Sequence, residues 1–156
     1  MQKQLLYFII LFFSHQVFAN TIVYFFQHKL PNGEVYSFDR NGRFYHSALK
    51  YKTKILEAHP YYGVRLATDL KKVGDLAAVL KSEKNILNLD AKIKMQMGKK
   101  FNLYSAWDDP LTTQCSKLIG QIIGVSPVIV QDGNLSLSPD LLYAELIKLG
   151  FVSQAF

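Results

Sequence analysis

Cys115, His46 and Glu57 are the residues of this 156-residue chain whose types and order could perform nucleophilic chemistry. Cys115 is its single cysteine. It stands near the start of the stretch 112–124, where Leu118, Ile119, Ile122 and Ile123 recur at helical spacing, Thr112 or Thr113 is a candidate N-cap and Gly124 a stop. A thiol in a first helical turn feels the positive end of the backbone dipole, which lowers its pKa and raises the thiolate fraction. A thiol nucleophile also needs a base, and an imidazole titrating near neutrality suits that task. The imidazole in turn needs an acceptor on its other nitrogen, to fix the tautomer and hold the cation. His46 fills the first role and Glu57 the second, with His59 the substitute for Glu57. Backbone amides at the start of the Cys115 helix would stabilise an oxyanion. Gln114, Tyr104 and Trp107 are near Cys115 in sequence and are candidate pocket residues, although core packing is the commoner fate of the two aromatics.

These side chains meet only if two strands carry the histidine and the acid to one face. The stretch 43–51 reads as a strand with Phe44, His46 and Ala48 on one face, and the next, 54–58, puts Ile55 and Glu57 together with His59. A hairpin over Tyr51-Lys52 would set His46 opposite Glu57; a four-residue loop would set it opposite His59. Both registers stay open. Further strands are predicted at 22–26, at 34–38 after the turn Pro31-Asn32-Gly33, at 63–66 and at 76–80. The second half reads as helices: 85–97 with Ile86, Leu89, Ile93 and Met97 on one face, the Cys115 helix, and a last one begun by Ser138-Pro139-Asp140 and stopped at Gly150. Strands followed by helices, with no repeat or linker, predict one α+β domain.

Residues 1–19 have the pattern of a secretory signal peptide: Lys3, an uncharged apolar core from Leu5 to Phe13, a polar break at Ser14-His15-Gln16, and Val17-Phe18-Ala19 before the expected cleavage. The apolar run falls short of the roughly 20 residues a membrane span needs. The expected mature protein, residues 20–156, is therefore secreted or periplasmic. A lone cysteine in an oxidising compartment is a reactive thiol, an intermolecular partner or a buried passenger. Lys and Arg exceed Asp and Glu by 18 − 12 = 6, and the lysines are spread along the chain. That surface favours peripheral association with anionic envelopes or cell-wall polymers. No recognition motif accompanies the charge, so nucleic acid is not an expected partner. One thiol without close metal-type spacing argues against zinc, and the chemistry needs no cofactor.

The order His, Glu, Cys in the settings Phe44-Tyr45-His46-Ser47-Ala48-Leu49, Ile55-Leu56-Glu57-Ala58-His59-Pro60 and Gln114-Cys115-Ser116-Lys117-Leu118-Ile119 resembles the circularly permuted papain-like enzymes, relatives of the NlpC/P60 superfamily of the YiiX/YaeF type. The run from Glu57 to Val64, the run from Gly98 to Tyr104 ahead of the cysteine, the helix start Ser138-Pro139-Asp140-Leu141 and the early Leu30-Pro31-Asn32-Gly33-Glu34-Val35 are similar to the corresponding stretches of that family. The resemblance spans roughly residues 30 to 145 and rests on order and spacing more than on any one motif. It departs at two positions: the family commonly has an aromatic before the cysteine and an acid after Cys-Ser, where this chain has Gln114 and Lys117.

The resemblance implies a permuted papain-like domain with an antiparallel sheet packed on helices. It also implies a cysteine hydrolase acting on amide bonds of cell-wall peptides or acyl bonds of lipids. A non-catalytic envelope-binding module on the same fold and an acyltransferase using the same thioester are the alternatives.

Overall fold

Burial on both faces of its first strand organises the molecule. The computed structural model describes residues 20–129 and 135–155, so the leader read in residues 1–19 lies outside the described part. In chain order the first strands are β1 (Thr21–Lys29), β2 (Val35–Tyr36), β3 (His46–Tyr51), β4 (Lys54–His59), β5 (Gly63–Ala67) and β6 (Asp75–Ser82). Then come α1 (Leu89–Gln96), β7 (Lys100–Phe101), β8 (Thr112–Thr113) and α2 (Cys115–Ile123). The chain ends with β9 (Val128–Ile129), β10 (Leu135–Ser136), α3 (Pro139–Lys148) and β11 (Val152–Gln154). Strands β11-β6-β1-β3-β4-β5 lie side by side, with β2 paired to the end of β1, as one seven-stranded antiparallel sheet. The class is α+β.

Val23 and Phe25 of β1, Leu49 of β3, Leu56 of β4 and Leu80 of β6 share one core with Leu118, Ile119 and Ile122 of α2 and Leu142 and Leu146 of α3. Phe26, Ala48 and Ile55 form a second cluster, with Leu70 and Val73 from the connection between β5 and β6 packed on it. Adjacent Phe25 and Phe26 thus point to opposite faces and both are fully buried. A bulge helps: β1 pairs Phe25 with Ala78 but Phe26 with Leu76, leaving Ala77 as the extra residue.

Helix α2 packs on β3 and is buried on almost every side, with Leu118, Ile119 and Ile122 in the core and even Ser116 and Lys117 shielded from solvent. Fully burying an aliphatic side chain contributes roughly 1.5–3 kcal/mol, and α2 buries Leu118, Ile119 and Ile122. A charge at a helix end is worth about 0.3–1 kcal/mol when exposed. Packing, not the dipole, therefore fixes where Cys115 sits. Gly124, at φ 91°, then stops the helix in the left-handed conformation that glycine tolerates.

Several boundaries differ from the sequence reading. The strand expected at 34–38 shrinks to Val35–Tyr36, and that expected at 43–51 begins only at His46. Phe44 accordingly does not share a strand face with His46; its ring packs on Phe25 and Tyr143 in the helix-side core. The first helix starts at Leu89, because Asn88 takes a left-handed φ of 55°, and Met97 lies beyond its end, partly exposed. Short strands β7 to β11 escape periodicity altogether, since two or three residues carry no alternation. Among the described residues no helix is long and apolar enough to cross a membrane.

Candidate active site

The local sequence explains why Cys115 begins α2. Gln114 is the N-cap, in extended conformation, and its side-chain Oε1 accepts the Ser116 N–H at 2.7 Å. Its Nε2 donates to the Leu137 carbonyl at 2.8 Å. Thr112 and Thr113, the caps expected from the sequence, instead form β8 beside β7. Cys115 is the first helical residue, so its own N–H has no acceptor within the helix. Its Sγ lies 3.5 Å from Gln114 Oε1 and 3.7 Å from Ser116 Oγ. The thiol is only 3% exposed.

His46 is the first residue of β3 and pairs with Phe26 of β1. The β3–β4 hairpin aligns Tyr51 with Lys54 and Leu49 with Leu56 across a two-residue turn at Lys52-Thr53. Its register is not that of the Tyr51-Lys52 turn but the one expected to set His46 opposite His59, reached by a two-residue turn at Lys52-Thr53 rather than a four-residue loop. It is two residues offset from the first, and Lys52 makes the turn possible with a φ of 55°. His46 and Glu57 are then diagonal rather than opposite, on one face, a separation a glutamate side chain spans. His46 Nε2 donates to Glu57 Oε2 at 2.9 Å. His59 is not the acceptor; its Nδ1 receives the Tyr61 N–H at 3.1 Å and its ring lies against Tyr62.

With Nε2 held by Glu57, Nδ1 is the nitrogen left for Cys115. Burial disfavours the His46 cation, but the Cys115 and Glu57 charges and hydrogen bonds outweigh it and push the imidazole up to about 9. Burial likewise opposes the Cys115 thiolate. The imidazolium charge and hydrogen bond, Ser116 and the Ser47 backbone N–H reverse that effect and hold the thiol below its ordinary value. Both directions favour the thiolate–imidazolium form of the pair, which is the nucleophilic one.

Glu57 has a second partner that the sequence reading missed. Arg65, across the ladder on β5, places Nη2 at 2.6 Å and Nε at 2.7 Å from Glu57 Oε1. Burial raises the Glu57 carboxyl, but His46 and Arg65 together hold it below the usual range. Arg65 was legible only through pairing: Glu57 and Arg65 are cross-strand partners in the β4–β5 hairpin, for which the sequence reading offers no register. Replacing Arg65 with glutamine is expected to move the acid limb of Cys115 alkylation upward by roughly one pH unit, with Arg65→Lys intermediate. An unchanged acid limb in an Arg65→Gln protein of native stability would show that Arg65 only packs.

Two further residues hold the frame. Asp140, at the start of α3, accepts from the backbone N–H groups of Arg43 and Phe44 and from Ser37 Oγ, which ties the loop before His46 to the helix. Lys117 points away from the thiol and is buried. Its ammonium donates to Ser105 Oγ and to the carbonyls of Ala106, Asp109 and Thr112, clasping the loop that leads into α2. The lysine after Cys-Ser is thus a structural clasp.

Cys115, His46, Glu57 and His59 open into one cleft of about 250 Å³, completed by Phe38, Tyr45, Pro60, Val73, Phe101 and Leu103. Gly63 shapes its rim: at φ 66°, with Lys99 O 2.3 Å from where a Cβ would stand, only glycine lets β5 meet the segment that carries Phe101 and Leu103. The three expected pocket residues do not line it. Tyr104 is 89% exposed, Trp107 packs against the core beside Gly120, and both ends of the Gln114 amide are occupied in capping. Among the described residues no cluster of three or more His, Cys, Asp or Glu side chains forms a metal-binding group. No protein-family profile, curated protein or solved structure matches the chain.

Proposed function

We propose that this chain is a secreted or periplasmic cysteine hydrolase with a permuted papain-like domain, cleaving an acyl bond through a covalent thioester. The observation that carries the reading is the Cys115–His46–Glu57 arrangement, with the thiol at a helix start and the imidazole bound to a buried, ionised glutamate. The chain order of a histidine strand, an acid strand and a later cysteine helix supports the permuted architecture. The earlier resemblance and the apparent leader peptide support the compartment and the substrate range, which is cell-wall peptide or lipid-type.

The steps follow from the geometry. The Cys115 thiolate attacks the carbonyl carbon, forming a C–S bond, and negative charge moves to the carbonyl oxygen. The Cys115 N–H, at the positive end of α2, is placed to receive that charge. As the tetrahedral intermediate collapses, the bond to the leaving group breaks and His46 gives it a proton. Water then attacks the thioester, His46 takes its proton, and the C–S bond breaks to release the acid and restore the thiolate. Glu57 stays ionised throughout and steadies the imidazolium. An alcohol or amine acceptor in place of water would make the same intermediate a transferase.

The test is to trap the intermediate. Incubation with p-nitrophenyl acetate and acid quenching should give an intact mass higher by one acetyl group, located at Cys115 and removed by hydroxylamine. Acetylation spread over lysines, with Cys115 unmodified, would sink the proposal.

A further inference from the structure

The lining of the Cys115 cleft is at odds with the basic character of the rest of the surface. Six of its ten residues present apolar surface: Phe38, Tyr45, Pro60, Val73, Phe101 and Leu103. Phe38 and Leu103 are 40% and 38% exposed, large apolar side chains held in water beside a buried nucleophile. Among the described residues no lysine or arginine lines the cleft.

The charges that do line it are already engaged. Glu57 is shared between His46 and Arg65, and His46 is paired with Cys115 and Glu57. Burial, with the Arg65 charge behind it, holds His59 below its ordinary value, so it faces the cleft as a neutral ring. A free carboxylate or ammonium on the substrate would be desolvated there without a partner, which is costly. An apolar chain would cover Phe38, Val73, Phe101 and Leu103 and release their water. The volume lies just below the roughly 300–1,000 Å³ typical of drug-sized ligands, enough for a hydrocarbon segment and too small for a branched glycopeptide.

The geometry points to an apolar acyl group as the part of the substrate that this cleft receives, its carbonyl at Cys115 and its chain against Phe38, Val73, Phe101 and Leu103. This deepens the hydrolase reading and rests on it. It separates the two substrate classes left open above: the acyl chain occupies the cleft, and the lysine-rich surface remains outside it. Either a glycerolipid or an acylated peptide would supply such a group.

The experiment compares the rate constants for labelling Cys115 with iodoacetamide and with N-octyl iodoacetamide, each divided by its rate with glutathione. The expected octyl preference is about tenfold or more, the effect of burying about two methylenes. Leu103→Asp should remove that preference, whereas Leu111→Asp, an exposed leucine outside the cleft, should keep it. In a second arm, dioctanoylphosphatidylcholine and an N-octanoyl peptide are offered separately, and release of octanoate from one or the other identifies the source.

Equal labelling by the two reagents, or a preference that Leu103→Asp leaves intact, would overturn the inference while the hydrolase reading stands on the acetyl-enzyme. An octyl preference without any acyl-enzyme would instead retain the apolar site and remove the hydrolase.

Discussion

Cys115→Ala is expected to lower Cys115-dependent turnover of an activated ester by on the order of 10⁴-fold or more while the protein keeps its fold. The substitution removes one buried sulfur from a helix that Leu118, Ile119 and Ile122 already anchor, so the cavity it leaves is small. No neighbouring group replaces the nucleophile. Ser116 Oγ and Ser47 Oγ face each other at 3.5 Å, and neither has the histidine as its partner. Cys115→Ser keeps the shape but not the acidity: a hydroxyl is a far weaker acid than a thiol, and the imidazolium that lowers the Cys115 thiol would not make it a comparable nucleophile. Near-zero activity in both variants, with melting temperatures close to wild type, is the expected pair of results. Wild-type turnover in Cys115→Ala would place the chemistry elsewhere.

His46→Ala is the second large effect, an expected loss on the order of 10²- to 10⁴-fold with a changed pH profile. In the wild type the profile should be bell-shaped. The acid limb marks formation of the thiolate, below the ordinary thiol value because of the imidazolium beside it. The alkaline limb should lie near pH 9, where His46 loses the proton that the leaving group needs. Removing His46 should erase the alkaline limb and move the acid limb upward, since burial alone disfavours the thiolate. Steady-state rates against pH for the two proteins check both signs. Two identical profiles would separate His46 from the reaction.

The candidate triad was more legible than its surroundings, for physical reasons. A lone thiol before an apolar helical stretch can be found by periodicity, and a histidine and a glutamate on adjacent strands share a face in any register offset by two. The register itself was not legible, because Lys52 adopts a positive φ that its side chain does not advertise. Arg65 was hidden by a separate register, that of β4 against β5, which sets which β5 residue faces Glu57. The pocket is hidden for a different reason. Tyr104, Trp107 and Gln114 are near Cys115 in sequence, but the cleft is walled by residues 38, 45, 60, 73, 101 and 103, brought in by non-local packing. Lys117 stands in the sequence only as a departure from the acid the family commonly has after Cys-Ser, and is explained by the four acceptors that the loop 105–112 folds around it. The leading strand and the last helix were easier: a run of β-branched and aromatic residues, Ile22 to Phe26, marks β1, and Ser138-Pro139-Asp140 marks the start of α3.

The central claim is that His46 holds Cys115 as a thiolate, and the pH dependence of iodoacetamide alkylation at Cys115 measures it most directly. In the wild type the reaction should titrate well below the model thiol value of about 8.5, and in His46→Ala the midpoint should return to that value or above it. A wild-type thiol that titrates as an ordinary cysteine, or one whose depressed midpoint survives in His46→Ala, would contradict the account.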